Sequence, residues 1–174
     1  MGTITLRKCE QKIFKIRKQI SMLQKRKYLT VIQKHRIERK IRDQKLLHLG
    51  LLFEITYTLI YSENQVTGHL LQLKEKNKKE ISHFKTEGNF IFSKISIEEH
   101  DKEEIKYLTT EERRARNHIL ISYGALLETT NTMEYPLAIL IAYIEALHHY
   151  TQKELKSLEE MGRQFFKEKE EKRC

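Results

Sequence analysis

The chain is poor in everything that breaks or staples a fold. Its 174 residues include one proline, six glycines, two cysteines and no tryptophan. So few turn formers exclude an all-β fold and favour long helices. Cys9 and Cys174 stand at opposite ends with no partner nearby in sequence. That spacing argues against a disulfide framework or a zinc knuckle and points to a reducing compartment, with both thiols inert apart from mild activation of Cys9 by Lys8. The longest apolar stretch, Leu46 to Tyr61, is interrupted by His48 and Glu54. It falls short of the roughly 20 apolar residues of a membrane span. Leu6-Arg7-Lys8 is followed by charge where a secretory signal would place its apolar run. A soluble cytoplasmic protein with no membrane partner is therefore expected. Hydrophobic residues make up 39% and charged residues 33%, so any core is thin and its helices must be amphipathic.

What the chain has in excess is positive charge, and that charge is concentrated. The net value of +9 hides a division: residues 1–50 hold 15 Lys and Arg against 3 Asp and Glu, leaving 18 bases against 21 acids in the rest. A surplus of this density makes the first fifty residues the place to look for a polyanion partner.

Residues 8–49 read as one long helix. Ile13, Ile16, Ile20 and Leu23 follow 3-4-3 spacing, and Ile37 and Ile41 return to the same phase with Val31 beside them. The intervening seam positions Lys27, Thr30 and Lys34 are polar, which leaves room for a stutter or a hairpin break near Tyr28–Val31. Ser62 and Gln65 form a capping box that opens a second helix through Leu70, Leu71 and Leu73. Residues 74–108 are less decided: Glu87-Gly88-Asn89 is a turn signal, and Phe90 to Ile97 alternates like a short extended segment before an acidic stretch, 98–112. Further capping boxes at Thr109/Glu112 and Thr151/Glu154, with Pro136 between them, mark three later helices. The expected architecture is all-α: a basic long helix and helical hairpin over 1–80, a linker over 81–108, and a second hairpin with a charged tail over 109–174.

A shift of 74 residues lays RKIRDQKLLHLGLLFEITYTLIY (39–61) over RRARNHILISYGALLETTNTMEY (113–135). Arg39, Arg42, Gly50, Glu54, Thr56 and Thr58 meet Arg113, Arg116, Gly124, Glu128, Thr130 and Thr132. Duplication of a helical unit explains this register. Each unit has a basic start, an apolar run and a glycine that marks a close packing contact or a bend.

Opposite the apolar stripe of the first helix stand Lys15, Lys18, Lys25, Arg26, Arg36, Arg39 and Lys40. Cations at such spacing can track phosphates. The candidate DNA-contacting residues are Lys25, Arg26, Arg36, Arg39, Lys40, Arg42 and Lys45. Phe14 and Tyr28 are the only aromatics among them, which disfavours base stacking on single strands and favours the backbone of a duplex. The alternatives are a solvated helix face, a strip facing the chain's own acidic segment, or a coiled-coil surface for a protein partner. No phosphate-binding loop, nucleophile elbow or zinc-protease motif is present. The Glu80/His83 and Glu145/His148 pairs have the spacing of a di-iron bundle, and Glu54 and Glu128 could complete it. Glu80, however, lies in a charged stretch without an apolar lining, and packing or capping accounts for these residues more simply. A non-enzymatic protein without cofactor or metal is expected.

Three segments carry a resemblance: Arg39-Lys40-Ile41-Arg42, Leu46-Leu47-His48-Leu49-Gly50-Leu51-Leu52 and Gly68-His69-Leu70-Leu71-Gln72-Leu73. Together they resemble the small conjugal transfer protein TraD family of Ti-type and mobilisable plasmids. That family shows spaced arginines, a Leu-x-Leu-Gly-type apolar segment and a later small-residue–Leu-Leu helix. The likeness covers about residues 34–74, with an echo at 113–147. The chain departs from the family at Gly50-Leu51, where a Gly-Gly pair is usual, and at Thr56-Tyr57-Thr58, where Ala-Gly-Leu is usual. The resemblance implies an accessory factor of conjugative DNA transfer that acts beside a relaxase in the relaxosome at a plasmid transfer origin. It does not imply the coupling ATPase of the same name. Self-association through the N-terminal helix is a further expectation.

Overall fold

No proline and no glycine interrupts the chain between Gly2 and Gly50, and lysine, arginine, glutamine and leucine supply more than half of the stretch. Such residues lose little rotamer freedom in a helix. Helix α1 accordingly runs unbroken over Gly2–Ile55. There is no hairpin break near Tyr28–Val31; Thr30 there donates its hydroxyl back to the Arg26 carbonyl at 3.0 Å, within the helix. The structure, a computed structural model, describes residues 2–97 and 108–172, so residues 98–107 of the acidic stretch 98–112 lie outside it. The chain divides into two units, Met1–Arg42 and Asp43–Cys174. The first consists of α1 up to Arg42.

Among the described residues the second unit is a helical bundle built from the end of α1 and five further helices: α2 (Glu63–Leu73), α3 (Lys78–Ile97), α4 (Thr110–Thr129), α5 (Leu137–Glu145) and α6 (Gln152–Glu171). Single 3-10 turns at Thr58–Ile60 and Ala146–His149 complete it. All three capping boxes read from the sequence are formed, at Ser62, Thr109 and Thr151. A fourth, less obvious, starts α3. The Asn77 side chain accepts from the Lys79 and Glu80 amides at 2.9 and 3.0 Å, and Glu80 accepts from the Asn77 amide at 2.9 Å.

Helix α3 corrects the reading of residues 81–97 as linker. Ile81, Phe84, Ile91 and Phe92 pack against the core, and their spacing is helical, not alternating. Glu87-Gly88-Asn89 is not a turn. Gly88 lies mid-helix, where α3 passes so close to the backbone of Ala138 on α5 that a Cβ would overlap its carbonyl.

With α3 in place, the duplication covers three helices in each copy. Asn77/Glu80 and Thr151/Glu154 cap α3 and α6, 74 residues apart. Gly50 meets Leu120 and Gly124 meets Leu46, which crosses α1 and α4 antiparallel through equivalent glycines. Gly88 meets Ala138 and Gly162 meets Asn64, again one 74-residue step apart. The corner after each first helix is the same knot. Thr56 donates to the Leu52 carbonyl at 2.8 Å and shares a 2.9 Å hydroxyl contact with Thr58. Thr130 does the same with Leu126 and Thr132, also at 2.8 and 2.9 Å. Between the threonines, Tyr57 (φ 54°) and Asn131 (φ 53°) both take left-handed backbone.

The copies interlock. Helix α2 packs on α6 and α3 on α5, so each copy's second helix lies against the other's third. The centre of this arrangement is a reciprocal pair. His69 and Tyr143 stack with ring centroids 4.0 Å apart. The His69 Nε2 donates to the Tyr143 carbonyl at 2.7 Å, and the Tyr143 hydroxyl donates to the His69 carbonyl at 2.9 Å. Each residue bonds the backbone of its own equivalent, as two subunits do across a two-fold axis. Around it Phe53, Val66, Leu70, Leu127, Leu140 and Ile144 are fully buried, each stabilising the fold by roughly 1.5–3 kcal/mol relative to exposure.

Candidate nucleic-acid interface

The cations nominated from sequence lie on α1, and Lys25, Arg26, Arg36, Arg39, Lys40, Arg42 and Lys45 are all exposed. At about 100° per residue, Lys25, Arg36, Arg39 and Lys40 share a sector about 100° wide, with Arg26 about 40° beyond it. Arg42 and Lys45 do not join them: they project progressively further round the helix. Arg42 is engaged in an interaction of its own, and Lys45 belongs to the second unit. Lys18 and Lys15, which the nomination left out, are exposed and fall on the same side as Lys25. The seven-residue step from Lys18 to Lys25 is the signal that could have included them.

Few acids dilute this face. Glu38 pairs within the helix with Lys34 at 3.8 Å and His35 at 3.3 Å. These are exposed pairs of small energetic weight, and they lie beside Arg36, Arg39 and Lys40 without involving them. The basic start of the second copy is arranged differently. Arg116 forms a two-point pair with Glu54, with Nε at 2.7 Å from Oε1 and Nη2 bonded to Oε2. The Arg113 Nε donates to the Leu108 carbonyl at 3.1 Å. A guanidinium held in a half-buried carboxylate fork is committed to packing α4 against the end of α1. In sequence the two R-x-x-R stretches look alike; in the fold the second serves the bundle.

The residues considered for a metal have other work. Glu54 holds Arg116 and Glu80 caps α3. His148 lies at the end of its 3-10 turn, with Nδ1 3.1 Å from the Tyr61 hydroxyl and Nε2 2.7 Å from the Thr56 carbonyl. Among the described residues no three His, Cys, Asp or Glu side chains converge on one point, and no helix is long and apolar enough to cross a membrane.

Seam and basic face are separate. Ile20, Leu23, Ile37 and Ile41 are 49, 62, 58 and 61% exposed on the side of α1 opposite the Lys25–Arg36–Arg39–Lys40 sector. No known protein family, curated protein or solved structure matches the chain.

Proposed function

We propose that the chain binds duplex DNA without catalysing a reaction, through phosphate contacts along α1, as an accessory factor of conjugative transfer or plasmid mobilisation beside a relaxase. The observation that carries this reading is the row of exposed cations on one sector of α1, in a segment whose charge surplus the rest of the chain lacks. Phosphate tracking needs little more than such a row, and it reads no bases. The conjugative setting rests on the resemblance of residues 34–74 to the small TraD family. A second reading, a coiled-coil interaction protein, is favoured by the exposed isoleucines and leucine on the opposite face.

The triple charge reversal Arg36→Glu, Arg39→Glu, Lys40→Glu tests the first reading in a gel shift on unrelated duplex sequences. Binding should fall on every sequence by about a hundredfold or more, because three phosphate contacts are lost and three repulsions gained. Lys156→Glu on α6 should leave it within about twofold. Equal effects of the two variants would reject α1 as the contact surface.

A further inference from the structure

From Leu6 to Ile41 helix α1 is continuous and carries a seven-residue apolar repeat that Lys27, Thr30 and Lys34 interrupt. Leu6, Ile13, Ile20, Lys27, Lys34 and Ile41 occupy its a positions. Cys9, Ile16, Leu23, Thr30 and Ile37 occupy d. Isoleucine recurs at both a and d, with Leu23 the one leucine at d. The lysines at two a positions specify register and oligomer state at a cost in stability, since their ammonium groups need the water that a two-stranded seam leaves within reach. Four of these apolar side chains, Ile20, Leu23, Ile37 and Ile41, are exposed. The cations of the proposed DNA face fall elsewhere on the wheel: Arg36 at c, Lys18, Lys25 and Arg39 at f, and Lys40 at g. Seam and DNA face can therefore be used together.

Electrostatics opposes the pairing in the free protein. A second copy in parallel register brings Lys27 against Lys27 and Lys34 against Lys34, and places Lys12 beside Arg17. The neighbouring acid, Glu38, is already shared with Lys34 and His35 of its own helix. Each partner also brings a surplus of 12 positive charges in residues 1–50. A duplex along the outer face of either helix weakens that repulsion, because its phosphates supply part of the missing counter-charge.

We propose that α1 pairs in parallel with α1 of a second copy, and that duplex DNA drives the pairing, so that the chain binds DNA as a cooperative dimer. This rests on the DNA reading above and adds its assembly. Linkage requires reciprocity: if DNA promotes pairing, pairing tightens DNA binding by the same factor.

Cys9 reports the geometry, since a d position meets its own copy only in a parallel, in-register coil. The test uses the full chain with Cys174→Ser, a duplex of about 30 base pairs (longer than the roughly 38 Å from Lys15 to Lys40 at 1.5 Å per residue) and diamide at low salt. Diamide takes two electrons and two protons from the two thiols and is reduced to the hydrazine as the S–S bond forms. A Cys9-linked dimer should form about tenfold faster or more with duplex than without. Leu23→Glu with Ile37→Glu, which keeps every cation, should abolish the cross-link and leave weaker, non-cooperative binding. Duplex binding without the cross-link overturns the dimer and leaves the DNA reading standing. Cross-linking at equal rates with and without duplex overturns the coupling. No duplex binding overturns both.

Discussion

His69 carries an imbalance that a titration can read. Its Nε2 donates to the Tyr143 carbonyl, so the neutral ring leaves Nδ1 as an acceptor, buried and without a hydrogen-bond partner among the described residues. Burial pushes the ring's pKa down to about 4, the hydrogen bond to the Tyr143 carbonyl opposes it, and the ammonium of Lys76 lowers it further. The unfolded chain takes up the proton near pH 6.5 while the folded one refuses it until about pH 4. Stability is thus complete above about 6.5 and declines as pH falls towards 4, by about 3 kcal/mol from this group. His69→Phe keeps the stack on Tyr143. It should cost about 1–3 kcal/mol at pH 7.5 through the stranded carbonyl and flatten the change in melting temperature between pH 7 and pH 4.5. The crossing glycines make a second residue-scale prediction. A Cβ on Gly50 or Gly124 would overlap the carbonyl of Leu120 or Leu46, so Gly50→Ala and Gly124→Ala should each cost about 3 kcal/mol in urea denaturation, by similar amounts. Tyr57 offers the reverse. It is 71% exposed in left-handed backbone, where the second copy uses Asn131, and Tyr57→Asn should raise stability by about 1 kcal/mol.

Among the elements, the capped helices were the most legible in sequence. Ser62/Gln65, Thr109/Glu112 and Thr151/Glu154 spell their own N-termini because the cap and its reciprocal acid or amide are local, four residues in all. Thr151→Ala should lower stability by about 1 kcal/mol and fray the start of α6, seen as faster amide exchange at Lys153 and Glu154. Helix α3 was not legible for the opposite reason. Its identity is tertiary: Gly88 is needed only because the Ala138 backbone is there, and Phe90, which completes the apparent alternation, is 59% exposed and faces away from the core. Once α6 is known to be a helix, the 74-residue register that aligns Gly88 with Gly162 and Asn77 with Thr151 makes α3 readable as its copy. Past residue 61 the likeness between the copies fades, and α3 and α6 share few identical residues. The reciprocal His69–Tyr143 pair was hidden by the same divergence, since the two equivalent positions carry different side chains.

At the scale of the whole molecule, the chain is a duplicated three-helix unit to which the first copy alone adds a long basic helix. Where the second copy begins with the capped Thr109, the equivalent point of the first lies inside α1. The charge follows the same division. The bundle's equivalent arginines are engaged by Glu54 and by the Leu108 carbonyl, while Lys18, Lys25, Arg36, Arg39 and Lys40 stand exposed on the added helix. The candidate site was legible because it needs only periodicity and charge, both local properties of one helix. Periodicity also sets its two weaker members, Arg42 and Lys45, apart from the rest, while the start of the bundle at Asp43 was not legible. The most direct measurement is the affinity of the full chain for a random-sequence duplex as a function of salt, followed by fluorescence anisotropy. With about six phosphates neutralised per chain, log Kd against log salt should be linear, affinity falling with a slope of about −5 in log K. The triple reversal on α1 should reduce that slope to about −2. An affinity that does not change between low and high salt, or no binding at low salt, would contradict the central claim.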